Sequence, residues 1–295
     1  MRVFLTGSTG FIGTQVTREL LDAGHDVLGL TRSDHGERAL RAVGAVAHRG
    51  DIEDLDSLRK GAEQCDAVIH TAFDHDFTHF VENCQKDGRV ITALGTALEG
   101  STRPLIITSG TAMGCPAPGQ PADEDHFDPA HPHPRTASEL AGHALSERGI
   151  NVVVMRLSQI HNPVKQGLVT YLIDLARQKG VSAYVGEGLE CWSAAHLADT
   201  AHLYRLALEK HAPGARYNAT AEQTIAFRDI AQVIGEGLGV PTVSLSPEQA
   251  AAHFGWMAGF AGQDMSASNT KTRERLGWNP KGPGLLEDVR VCLSR

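Results

Sequence analysis

The sequence predicts an α/β protein built on a doubly wound parallel sheet with a small C-terminal lobe, and three observations carry that prediction. The chain opens on a short apolar strand that runs into a glycine-rich turn and then an amphipathic helix. Further apolar runs, at 26–32, 45–52, 66–73, 103–109 and 150–156, alternate with helical patterns, the order expected of a parallel sheet covered on both faces. The composition agrees, because 41% hydrophobic residues and 31 glycines in 295 residues suit a large α/β core rather than a coiled coil or a disordered chain.

The opening stretch carries the most chemistry. Residues 3–5 lead into Thr6-Gly7-x-x-Gly10-x-x-Gly13, and Val16, Leu20 and Leu21 then fall on one helical face. Gly7 permits a tight turn, Gly10 lets backbone amides approach a pyrophosphate, and Gly13 lets the helix pack on the strand. The second strand ends in Thr31-Arg32-Ser33. A carboxylate there would suit a ribose 2′-OH, whereas a cation suits a 2′-phosphate, so NADP(H) is the expected cofactor. The third strand ends in Gly50-Asp51-Ile52, where Asp51 can accept from an adenine amino group, cap the helix over 53–64, or do both.

A net charge of -8 argues against a general nucleic-acid or anionic-membrane surface, and no run approaches a membrane span. The first apolar run is too short for a signal peptide. Five scattered cysteines without CxxC spacing fit a reducing cytoplasm. The expected partner is a small-molecule substrate, with a homodimer as an allowed assembly. Asp74, His75, Asp76 and His79 could share a helix face, but nothing completes a ligand set, so no metal is expected.

In order and spacing, the glycine turn, Gly50-Asp51-Ile52 and His70-x-Ala72 resemble the extended short-chain dehydrogenase/reductase family, and Leu276-Gly277-Trp278-x-Pro280 is similar to that family's closing motif. The resemblance implies a Rossmann fold. It also implies that Thr9, Phe11 and Ile12 accompany the three glycines at the cofactor, that Asp51 and Ile52 flank the adenine, and that Thr71, Ala72 and Phe73 line the cofactor cleft. Ser109 falls where a family serine hydrogen-bonds the substrate carbonyl. The segment from Asp74 to His79 would border the same cleft.

The helix that follows departs from the family pattern. Pro134-Arg135-x-x-Ser138-Glu139 aligns with Pro-Tyr-x-x-Ser-Lys, which sets Arg135 in place of the proton-donating tyrosine and Glu139 in place of the lysine. Arg135 can stabilise an oxyanion but is a poor general acid. Glu139 can reach ribose hydroxyls, yet an anion does not depress a neighbour's pKa as a cation does. The i, i+4 spacing equally permits a plain helix salt bridge. His161 stands where a tyrosine is usual and, with His75 and Tyr171, is a candidate proton donor, although packing or capping is the commoner fate of such a histidine.

The expected organisation is a dinucleotide-binding core over 1–162, to which 191–219 returns, and a substrate lobe over 163–190 and 220–295. The expected activity is NADP(H)-dependent reduction of a small metabolite with Ser109, Arg135, Glu139 and His161 at the catalytic centre. The alternatives are a non-redox NADP(H) sensor with a closed or filled substrate cleft, and an isomerase or cyclase on the same scaffold.

Overall fold

The computed structural model describes residues 1–295. Its first half alternates strand and helix: β1 (Arg2–Thr6), α1 (Phe11–Asp22), β2 (Asp26–Thr31), α2 (Asp34–Ala42), β3 (Val46–Arg49), α3 (Leu55–Glu63), β4 (Ala67–His70), α4 (Phe80–Thr96), β5 (Leu105–Gly110), α5 (Thr136–Glu147) and β6 (Val152–Leu157). The second half holds β7 (Gln159–Asn162), β8 (Lys165–Gln166), α6 (Val169–Lys179), β9 (Ser182–Val185), β10 (Cys191–His196), α7 (Leu197–Lys210), β11 (Arg216–Ala219), β12 (Glu222–Ala226), α8 (Phe227–Leu238), β13 (Thr242–Leu245), α9 (Pro247–Phe254), α10 (Ala258–Ala261), α11 (Thr270–Leu276) and α12 (Leu285–Leu293).

Seven strands form one parallel sheet in the order β11-β6-β5-β4-β1-β2-β3. Alternation along β1 explains why both faces are covered. Val3 and Leu5 pack with Val16 and Leu20 of α1 and Leu203 of α7, whereas Phe4 faces Leu58 of α3 and Ile91 of α4. Each such buried side chain contributes about 1.5–3 kcal/mol. The strand order reverses between β1 and β4, and ligands of open α/β sheets bind at the strand C-termini beside such a reversal.

The lobe has its own core, in which Trp192, Phe227, Ile230 and Phe254 pack together. Over it lie a four-stranded sheet, β12-β10-β7-β8, and the pair β13-β9. The sequence boundaries shift here. Residues Gln159–Asn162 and Cys191–His196 join the lobe sheet, not the large one, because β7 pairs with β10 in parallel. Trp278, expected in the lobe, is buried among α7 and β11 of the large core, where its Nε1 donates to the Asp199 carbonyl at 3.0 Å. No helix is long and apolar enough to cross a membrane.

Candidate active site

The turn between β1 and α1 is built by absence of side chains. Gly7 has φ +69°, a conformation that disfavours any Cβ, and a Cβ on Gly13 would sit 2.0 Å from the Gly7 carbonyl oxygen. No side chain caps α1, and its first turn holds no carboxylate, so its leading amides and dipole face the cavity above. Gly7, Thr9, Gly10, Phe11, Ile12, Gly13, Thr31, Arg32, Asp51, Ile52, Thr71, Ala72 and Phe73 all line that one cavity, of about 820 Å³. An elongated dinucleotide therefore fits the residues present: unpaired amides at one end of α1, a cation at the β2 end and no Cβ in the turn.

Two expectations near the adenine end change. Ser33 lies outside the cavity lining and caps α2, its Oγ accepting from Gly36 N at 3.1 Å. Asp51 does not cap α3. That place belongs to Asp54, which accepts from Ser57 N at 3.0 Å, while Asp51 accepts from Glu53 N at 2.9 Å and stands 3.6 Å from Arg32.

Across the cleft, β4, α4 and α5 converge on a buried acid. Asp87 of α4 accepts from His70 Nε2 at 2.9 Å, Ser138 Oγ at 2.6 Å and Arg135 Nη1 at 2.7 Å. His70 Nδ1 in turn faces Thr6 Oγ1 at 2.6 Å. Arg135 Nη2 donates to the Thr108 carbonyl at 2.9 Å, and the guanidinium lies 4.0 Å from the Phe73 ring centroid. Arg135 borders the cleft as a held positive charge. Its expected salt bridge with Glu139 does not form, because residue 135 stands at the N-cap of α5 and points to Asp87.

Burial alone would raise the Asp87 pKa, but the Arg135 charge and the His70 and Ser138 hydrogen bonds outweigh it and hold the carboxyl at about 2. An unfolded aspartate titrates near ~3.9. The folded pKa is the lower one, so the stabilisation is complete above pH ~4 and is lost as pH falls towards 2, by roughly 2–3 kcal/mol. Urea midpoints of the wild type should fall faster than those of Asp87→Asn between pH 4 and 2. Parallel curves would mean that this acid carries no such linkage.

Glu139 is the largest correction. It does not line the cleft and is fully buried, its two oxygens accepting from Arg156 Nε and Nη2, each at 2.8 Å, and from Arg216 Nε at 3.2 Å. Helix periodicity turns position 139 onto β6 and β11 rather than towards the cofactor. His161 is also removed from the cleft. Gln159 and Ile160 of β7 line the cavity, but His161 does not, because its side chain is drawn against α12. There its Nδ1 donates to Asp288 of α12 at 2.7 Å, and burial lowers its pKa despite that carboxylate.

Ser109 stays where expected. At the end of β5 it lines the cavity, 2% exposed, and its Oγ has no hydrogen-bond partner within the protein. A buried hydroxyl without a partner costs about 1–3 kcal/mol, and from the cavity wall this one can donate to a bound acceptor. His75 also lines the cavity, with Nδ1–H donating to the Phe73 carbonyl at 3.1 Å, which leaves Nε2 for other partners. Burial, then the Lys165 charge, lowers its pKa. Tyr171 reaches the cavity from α6. Sequence reading missed Lys86 and Lys165. Lys86 pairs with Glu53 and Asp74 at 2.8 and 3.0 Å, and the Lys165 ammonium lies 5.7 Å from the Phe11 ring centroid. No group of three or more His, Cys, Asp or Glu side chains is arranged to hold a metal ion.

Comparison with known proteins follows the same lines. The model of the NAD dependent epimerase/dehydratase family matches residues 3–220. The uncharacterized protein C2A9.02 of Schizosaccharomyces pombe is 44% identical over 290 residues, covering 98% of each chain. The 2-alkyl-3-oxoalkanoate reductase of Stenotrophomonas maltophilia is 27% identical, covering 82% of this chain and 77% of the relative. Among solved structures, the Thermus thermophilus UDP-glucose 4-epimerase complex with NAD has a TM-score of 0.75 at 21% identity, over 100% of this chain and 98% of that one. Human epimerase family protein SDR39U1 with NADPH has a TM-score of 0.73 at 20% identity, over 100% of this chain and 99% of that one. These structural likenesses establish the fold.

Proposed function

This chain belongs to the NAD dependent epimerase/dehydratase family, within the extended short-chain dehydrogenases/reductases, and from that membership we propose that it is an NADP(H)-dependent reductase of a small, largely apolar carbonyl metabolite. The observation that carries the reading is the unpartnered, buried Ser109 hydroxyl in a cavity continuous with the glycine turn. The S. maltophilia relative, a reductase by name, supports it.

Bound NADPH supplies a hydride to the carbonyl carbon, and a proton must then reach the oxygen. Ser109 Oγ–H donates to that oxygen and orients it. Arg135 does not deliver the proton, since its Nη1 and Nη2 are committed to Asp87, Ser138 and the Thr108 carbonyl. It contributes a fixed positive charge near the developing alkoxide, strongest where water is excluded. With His161 buried against Asp288, His75 and Tyr171 remain as the proton carriers in the cavity. Burial and then the Lys165 charge lower the His75 pKa, which makes its imidazolium a stronger proton donor than a free one.

Arg32 at the end of β2, with no carboxylate on that strand end, supports NADP(H) over NAD(H). Arg32→Ala should weaken NADPH by about tenfold to a hundredfold, the worth of a charge-assisted hydrogen bond, and NADH hardly at all. Equal losses for both cofactors, measured by fluorescence titration, would overturn the assignment. The sensing alternative expects a closed or filled substrate side, and the open cavity reaching Ser109 and Tyr171 counts against it. Five free cysteines support a reducing, cytoplasmic setting, and we retain a homodimer as the assembly to test. The direct test is NADPH oxidation with a panel of ketones, enones and imines. Turnover of none of them sinks the reductase reading.

A further inference from the structure

The chain has nine Phe, four Tyr and three Trp, and four Phe, one Tyr and one Trp of these converge on the substrate side of the cleft. Phe73, Phe77 and Phe80 come from the segment between β4 and α4, Tyr171 from α6, and Trp256 and Phe260 from the stretch after α9. Trp256 stacks on Phe77 with centroids 4.8 Å apart and planes 15° apart, and so covers one face of that ring. Phe77 lines the cavity, so part of its ring meets the cavity space. Tyr171 holds both rings edge-on, at 90° to Phe77 and 82° to Trp256, and Phe80 lies 5.6 Å from Phe77. The wall is thus braced from both lobes.

Three polar side chains beside it are already engaged within the protein. Gln159 Oε1 accepts from Leu168 N at 2.9 Å, Ser158 Oγ donates to the Ala219 carbonyl at 2.5 Å, and Thr108 Oγ1 donates to the His70 carbonyl at 2.7 Å. A flat, conjugated molecule with one oxygen meets both the ring and the buried, unpartnered Ser109 hydroxyl.

We propose that this site selects planar conjugated carbonyl compounds, such as aryl ketones or aldehydes, which pack against the Phe77 ring where it lines the cavity, with the carbonyl oxygen on Ser109 Oγ. The carbonyl's fate rests on the reductase reading, whereas the ring recognition does not. Acetophenone and cyclohexyl methyl ketone have equal carbon counts and similar outlines but differ in planarity and π face, so they separate shape from ring recognition. In NADPH oxidation assays the KM for acetophenone should be the lower, and Phe77→Leu should raise it roughly two- to tenfold while changing the KM for the cyclohexyl ketone less than about twofold, the range expected for an aromatic contact. Equal KM values in the wild type, or equal rises in the variant, would overturn the proposal. Saturation-transfer NMR on the NADP+ complex separates the two readings if neither ketone turns over. Transfer to acetophenone that Phe77→Leu abolishes keeps the ring recognition and removes the reductase, and no transfer to either ketone removes the recognition itself.

Discussion

Replacing Glu139 by glutamine should lower the stability of the chain by about 3–5 kcal/mol, the cost of leaving a buried partner charge uncompensated. Arg156 is fully buried, and its guanidinium is neutralised by both Glu139 oxygens at 2.8 Å. Glutamine keeps one acceptor but turns an amide group towards a cation. The Arg156 bonds to the Asp123 and His126 carbonyls, at 3.0 and 2.8 Å, would survive but cannot replace an anion. Adding Arg156→Met should recover a substantial part of the loss, since removing both charges relieves what removing one exposes. Urea unfolding of the two single variants and the double variant measures this. Additive losses would mean that the pair is not coupled.

Ser109→Ala should behave in the opposite way, lowering kcat by about 10²–10³-fold while leaving the fold as stable as before or slightly more so. The hydroxyl is buried without a partner, so its removal takes away a desolvation cost and no protein hydrogen bond. Loss of rate with an unchanged or raised melting temperature identifies a group kept for its ligand. An unchanged kcat at saturating ketone would remove Ser109 from the mechanism. Together the two variants separate residues that maintain the helix α5 side of the cleft from the one that meets substrate.

The cofactor half was legible in the sequence because its chemistry is local. Gly7, Gly10 and Gly13 lie within one turn of chain, and the demand for a positive φ and for close approach is written in residue type. The acid/base half was not, because its pairings are long-range. Arg135 meets Asp87 from another helix, and Glu139 meets Arg156 and Arg216 from two strands. The i, i+4 spacing of Arg135 and Glu139 suggested a bond between them that tertiary partners pre-empt. His161 was misplaced because its partner Asp288 comes from α12, far along the chain. The aromatic wall was visible only in part, since Phe77 and Trp256 are adjacent in space and distant in sequence.

A tyrosine restored at position 135 would strand the Asp87 carboxylate without its guanidinium. A lysine restored at 139 would bring a third cation against Arg156 and Arg216 inside the core. Each change by itself would leave buried charge uncompensated, and a second change at 87 or 156 would relieve it. A return to the ordinary Tyr-x-x-x-Lys pair is thereby coupled to the buried partners that Arg135 and Glu139 now neutralise.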